Sequence, residues 1–225
     1  MTSQTMAQKM TGLFKIFSRI PVPVPDRPAG MALPSLAIIR EVRFRKSGKT
    51  LKIDFSKRPV ILPLNNNADG KEFDALLVDI AKKTFAHGPN SLAKKPDLSL
   101  NNTRLCYIVF RLSDDTDWQF AHDFPPVSLS PEAFDSGCYF EANRINNDGI
   151  IVPMLDKDDK VIERDDCRVA YFIADGAKAV ADNPIKYIHP YNLNVDFLEM
   201  NGAQIEHRLA VTIDPDVRNP GGGGG

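Results

Sequence analysis

The chain has 225 residues, 43% hydrophobic and 25% charged, with a formal net charge of −1, ordinary values for a soluble globular protein. No stretch approaches the roughly 20 apolar residues of a transmembrane helix, and a net charge near zero is far from the basic footprint of a nucleic-acid-binding domain. The charge is nonetheless split by position. Residues 1–58 carry twelve Lys/Arg against three acids, and residues 111–175 carry fifteen acids against six bases, a partition that bears on association rather than on fold.

Residues 1–20 open the chain as a basic amphipathic arm. Met6, Met10, Leu13, Phe14, Phe17 and Ile20 recur at spacings of three and four, with Lys9, Lys15 and Arg19 as the only charges. One apolar stripe with basic flanks predicts a helix that docks on a partner or lies on a membrane surface. The composition also resembles a targeting peptide, and there is no continuous apolar run of the secretory kind. Residues 21–34 follow as a Pro-rich spacer, Pro21-Val22-Pro23-Val24-Pro25 holding the chain extended.

From residue 35 to 218 the pattern predicts a β-sandwich domain. Val42 and Phe44, then Leu51, Ile53 and Phe55, alternate with Arg43, Arg45, Lys52 and Asp54 around a turn at Lys46–Lys49. That is a hairpin with one buried and one basic face. Asp69 and Glu72 have the spacing of a capping box. Phe73, Leu76, Leu77, Ile80, Ala81 and Phe85 form the core stripe of a helix over about 70–86, ended by Gly88. Arg104–Leu112 is near-continuously apolar and reads as a central strand.

Trp118 and Phe120 mark a short strand, and Cys138, Phe140 and Ala142 another. Asn146–Gly149 is a hairpin signal from which Ile150–Leu155 returns, and Arg168–Ala174 is a further apolar strand. Leu193, Val195 and Phe197 alternate against Asn194, Asp196 and Leu198. Asn201-Gly202 turns the chain, and Leu209, Val211 and Ile213 answer. Residues 219–225, ending in five glycines, form a flexible tail.

Short strands at this interval predict a mainly β fold: an antiparallel β-sandwich with one packed α-helix and an N-terminal amphipathic helical arm. Cys106, Cys138 and Cys167 lie in apolar surroundings with no CxxC pair. They read as reduced core cysteines of a cytoplasmic protein, not as a zinc or redox motif.

The sequence shows no Walker A, GxGxxG, GxSxG or HExxH pattern, so no cofactor and no catalytic residue is assigned. His122-Asp123 is a two-ligand element without a second pair, and no metal site is read from it. The acidic turns Asp114–Asp117 and Asp156–Asp159 read as solvated rather than calcium-binding.

The expectation is therefore a non-catalytic interaction or self-assembling protein. Its arm (Phe14, Lys15, Phe17, Arg19) and basic hairpin (Arg43, Arg45, Lys52) would meet acidic residues Asp158, Asp159, Asp165 and Asp166 of another copy. The partner would be protein, a homo-oligomer first, with a membrane surface as the alternative partner of an effector and nucleic acid disfavoured. A third reading is a hydrolase of unrecognised type using His122, Asp123 or Cys138.

Overall fold

The computed structural model describes residues 22–47, 50–55, 59–65, 70–82, 105–114, 117–153, 158, 166–175, 191–202 and 204–213. The chain runs β1 (Val22–Pro23), β2 (Leu36–Ser47), β3 (Thr50–Phe55), β4 (Val60–Pro63), α1 (Lys71–Lys82) and β5 (Leu105–Leu112). It continues β6 (Trp118–Phe120), β7 (Val127–Leu129), α2 (Pro131–Asp135), β8 (Tyr139–Ile145), β9 (Val169–Asp175), β10 (Tyr191–Asn201) and β11 (Gln204–Ile213). The fold is mainly β, with two sheets and few helices.

The first sheet has the order β1-β7-β10-β11, with β6 also on β10. The second runs β3-β2-β5-β9-β8, with β4 on β2. The first is antiparallel throughout. The second is mixed, because β2 and β5 run parallel, Ala37 opposite Tyr107 through Val42 opposite Leu112. This corrects the expectation of purely antiparallel pairing. Parallel neighbours need a long crossover, and the chain between β2 and β5 supplies one that contains α1.

One apolar cluster is shared by both sheets: Val42, Ile108, Phe110, Leu112 and Phe172 from the second meet Trp118, Phe120, Leu193, Val195 and Phe197 from the first. A second cluster lies on the other face of the mixed sheet, where Phe73, Leu77 and Ile80 of α1 cover Ala37, Ile39, Tyr107, Val109, Tyr171 and Ile173. Each Val, Leu, Ile or Phe of these clusters contributes about 1.5–3 kcal/mol on burial. The Phe73 ring stacks on Tyr107 at a centroid distance of 3.5 Å and meets Tyr171 edge-on at 5.0 Å. Strand β5 is buried on both faces, which is why its sequence shows no alternation.

Helix α1 carries Glu72 and Asp74 in its first turn and Lys82 in its last, in line with the helix dipole. The expected cap Asp69 and the stretch beyond Lys82 lie outside the described residues. Gly70, at φ +68°, presents its carbonyl to the N–H groups of Phe73 and Asp74, and the Glu72 carboxylate accepts the N–H of Asn65. Arg111 of β5 donates to the Ile80 carbonyl at 3.1 Å, satisfying an end carbonyl of the helix.

Several local expectations shift. Residues 22–34 run against the domain: β1 pairs with β7, Glu141 N–H donates to Pro25 O, and Arg27 Nε donates to Glu141 Oε2 at 3.0 Å. The alternation read in β8 is broken by a bulge between Phe140 and Asn143, where Glu141 takes φ +56°. Tyr139 and Ala142 therefore join the cluster between the sheets, while Phe140 joins the helix side. After the turn at Asn146–Gly149 the chain makes a single bridge, Ile145 to Ile151, and Ile150 and Ile151 are exposed, so no return strand follows among the described residues. The arm 1–20 lies outside them. No helix among the described residues is long and apolar enough to cross a membrane.

Candidate functional site

Strand β10 positions the site. Leu193, Val195 and Phe197 pair with Ile213, Val211 and Leu209 of β11, and all six face the core between the sheets. The period of two therefore puts Asn194 and Asp196 on the other face. The polar side of this alternation is buried: Asn194 is 3% exposed and Asp196 is 0% exposed.

At Asn194 the polar groups close among themselves. Asn194 Nδ2 donates to Pro125 O (2.8 Å) and Ser128 Oγ (3.0 Å), and Thr212 Oγ1 donates to Asn194 Oδ1 (3.0 Å). Its backbone accepts Ala121 N–H and donates to Pro126 O. Arg144, itself buried, donates to the carbonyls of Ala121, Val152 and Pro153. The loop 121–126 is thus clamped at both ends, and it carries His122 and Asp123.

The row two residues on gathers ionisable groups. His122 Nδ1 lies 2.7 Å from Asp196 Oδ2, and the His122 backbone N–H donates to the same oxygen at 3.1 Å. A carboxylate partner fixes the proton on Nδ1 and leaves Nε2 as the ring's acceptor. Asp123 Oδ1 is 3.5 Å from His122 Nδ1, with its side chain 56% exposed. Ala210, opposite Asp196 in the β10–β11 register, is small, and Arg208 brings Nε to 3.8 Å from Asp196 Oδ2.

Chemically, this is an imidazole oriented by a buried acid, beside a guanidinium and a second, solvent-facing carboxylate. It can move a proton at Nε2 and attract an anionic group. His122, Asp123 and Asp196 each offer one ligand atom, all within 4.8 Å of one another, so the same residues can hold a metal ion.

The sequence placed His122 and Asp123 together as a two-ligand element. Asp196 and Arg208 were missed, because each looked like one more polar residue of an alternating strand. Cys138 is 1% exposed within the core cluster, and its thiol donates to Ser136 O.

None of the described residues that were read as an interaction surface is among the groups around Asp196. Arg43 is half-buried and ion-paired with Glu41 at 3.2 Å. Arg45 and Lys52 are opposite each other in the β2–β3 register. Asp158 and Asp166 are exposed, Asp166 at φ +48°. Phe14, Lys15, Phe17, Arg19, Asp159 and Asp165 lie outside the described residues.

A second polar cluster sits at the β8 bulge. Tyr171 OH donates to Glu141 Oε1 at 3.1 Å and accepts from Asn143 Nδ2 at 3.0 Å, while Arg27 holds Glu141 Oε2. Burial, then the Glu141 charge, pushes the Tyr107 phenol up to about 12 and raises that of Tyr171 too. These phenols stay protonated, so this cluster reads as a fixed hydrogen-bond network.

The model of one protein family, pNTSase1, described as "Predicted novel nucleotide synthetase", matches residues 72–222, about two thirds of the chain. No curated protein matches it. The matched span contains His122, Asp123, Asp196 and Arg208. The description overturns the expectation of a non-catalytic, self-assembling or binding protein and points to a catalytic enzyme. That expectation rested on charge partition and missing motifs, and neither reports an active site assembled from distant strands.

Proposed function

The chain belongs to the pNTSase1 family of predicted nucleotide synthetases, and from that premise we propose that it forms a nucleotide product at the His122–Asp196 pair. Forming such a product from an activated nucleotide requires a hydroxyl oxygen to attack phosphorus while a phosphate group leaves. The hydroxyl proton passes to His122 Nε2, the new P–O bond forms, and the bond to the leaving phosphate breaks. Asp196 holds the imidazole in the required tautomer and stabilises the imidazolium. The Arg208 guanidinium offers positive charge to the phosphoryl oxygens.

The observation that carries this reading is the 2.7 Å contact between His122 Nδ1 and a wholly buried carboxylate. Two features support the setting. The apolar cluster shared by the two sheets supports a β-sandwich with the site on the outer face of one sheet. Three buried cysteine thiols support a reducing, cytoplasmic compartment.

The test incubates the full chain with ribonucleoside triphosphates and Mg²⁺, then looks for released pyrophosphate or phosphate and a new nucleotide by mass spectrometry. Product that disappears in His122→Gln supports the reading. Undiminished product in that variant moves the chemistry elsewhere.

A further inference from the structure

The two polar rows on the outer face of the first sheet differ in one respect. The Asn194 row is closed by internal hydrogen bonds. The Asp196 row is open: Asp196 Oδ1 has no hydrogen-bond partner, although the residue is 0% exposed. Gln119 of β6 is directly opposite Asp196 in the register, hence on the same face, and is 1% exposed. Neither its Oε1 nor its Nε2 has a partner.

Buried polar atoms left unmatched are costly, more so when charged, and a bound ion is one of the ways in which such atoms are satisfied. Asp196 Oδ2 already takes both His122 donors, so Oδ1 is the oxygen left over.

We propose that Asp196 Oδ1, the Asp123 carboxylate and the Gln119 amide oxygen hold a divalent cation of the Mg²⁺ or Mn²⁺ class beside His122. Three oxygens from two carboxylates and an amide are the hard ligands such ions prefer, with the remaining positions left for water or phosphate oxygens. A single ion also suits a fully buried row better than a bulky ligand does. The cation leaves the Nδ1–Oδ2 hydrogen bond intact, so proton transfer at Nε2 and metal binding coexist on one carboxylate. Drawing a substrate phosphate to that ion rests on the nucleotide-forming reading, while the ion site itself does not.

The experiment titrates the full chain with Mn²⁺ alone, following free Mn²⁺ by electron paramagnetic resonance. One saturable site is expected, with Mg²⁺ competing. Asp123→Asn and Asp196→Asn should each weaken it at least about tenfold, Gln119→Leu should weaken it less, and Asp148→Asn, an exposed turn acid, should not change it. Absence of saturable binding through the millimolar range, or equal binding in Asp123→Asn, overturns the inference. Asp123 is largely exposed, so that variant keeps the test valid if Asp196→Asn fails to fold. Mn²⁺ binding without nucleotide product removes the functional reading and leaves the site. Product formation in a chain that binds no Mn²⁺ removes the site and leaves the function.

Discussion

His122 holds two neighbours of very different legibility. Asp123 is adjacent in sequence, and the pair is visible as a two-ligand element. Asp196 is brought in by strand pairing, through Ala121 N–H on Asn194 O and the β6–β10 ladder, and no local pattern announces it. A buried aspartate in an alternating strand has the same sequence signature as a solvated one. The consequence is testable: Asp196→Asn should cut turnover by about 10²- to 10⁴-fold, the usual worth of positioned proton transfer, with a smaller effect on KM. Arg144 is a positioning residue of the same site, since three backbone carbonyls depend on it. Arg144→Met should lower the urea-unfolding free energy by more than about 2 kcal/mol, because the carbonyls are left unpaired. It should also lower kcat through the loosened 121–126 loop.

Elements built from local pairs were the readable ones. The β10–β11 hairpin follows from alternation around Asn201-Gly202, with Gly202 at φ +62°, and α1 follows from one apolar stripe. The parallel β2–β5 pair was not readable, because its partners are far apart and nothing in either strand encodes direction. Nor was the β8 bulge, since a single extra residue, Glu141, reverses which face each neighbour takes. The turn after β8 is also a packing contact. Gly149 sits at φ +82°, and a Cβ there would lie 2.6 Å from the Val78 Cα of α1. Gly149→Ala should therefore cost more than about 1–3 kcal/mol, combining strain with a backbone clash. A urea midpoint shift confined to a few tenths of a kcal/mol would show that α1 can yield.

At the scale of the whole molecule, the four tyrosines among the described residues have phenols raised by burial. Tyr107 is pushed up to about 12, and Tyr139, Tyr171 and Tyr191 also rise. The folded state keeps these protons after the unfolded chain, with phenols near 10, has lost them. Their contribution is fully present below about pH 10 and falls as pH rises toward about 12. Urea midpoints should hold from about pH 9 to about pH 10 and drop from there to about pH 11.5, and phenolate absorbance should appear with unfolding rather than before it. The charge partition between residues 1–58 and 111–175 is real in the sequence, but charge asymmetry describes a surface, not a reaction, and the proposed chemistry is placed instead where β6, β10 and β11 meet. The most direct test is a side-by-side assay of the full chain and its His122→Gln variant with ribonucleoside triphosphates and Mg²⁺. A new nucleotide formed by the full chain and lost in the variant is the predicted result. Equal product from both, or none from either, would contradict it.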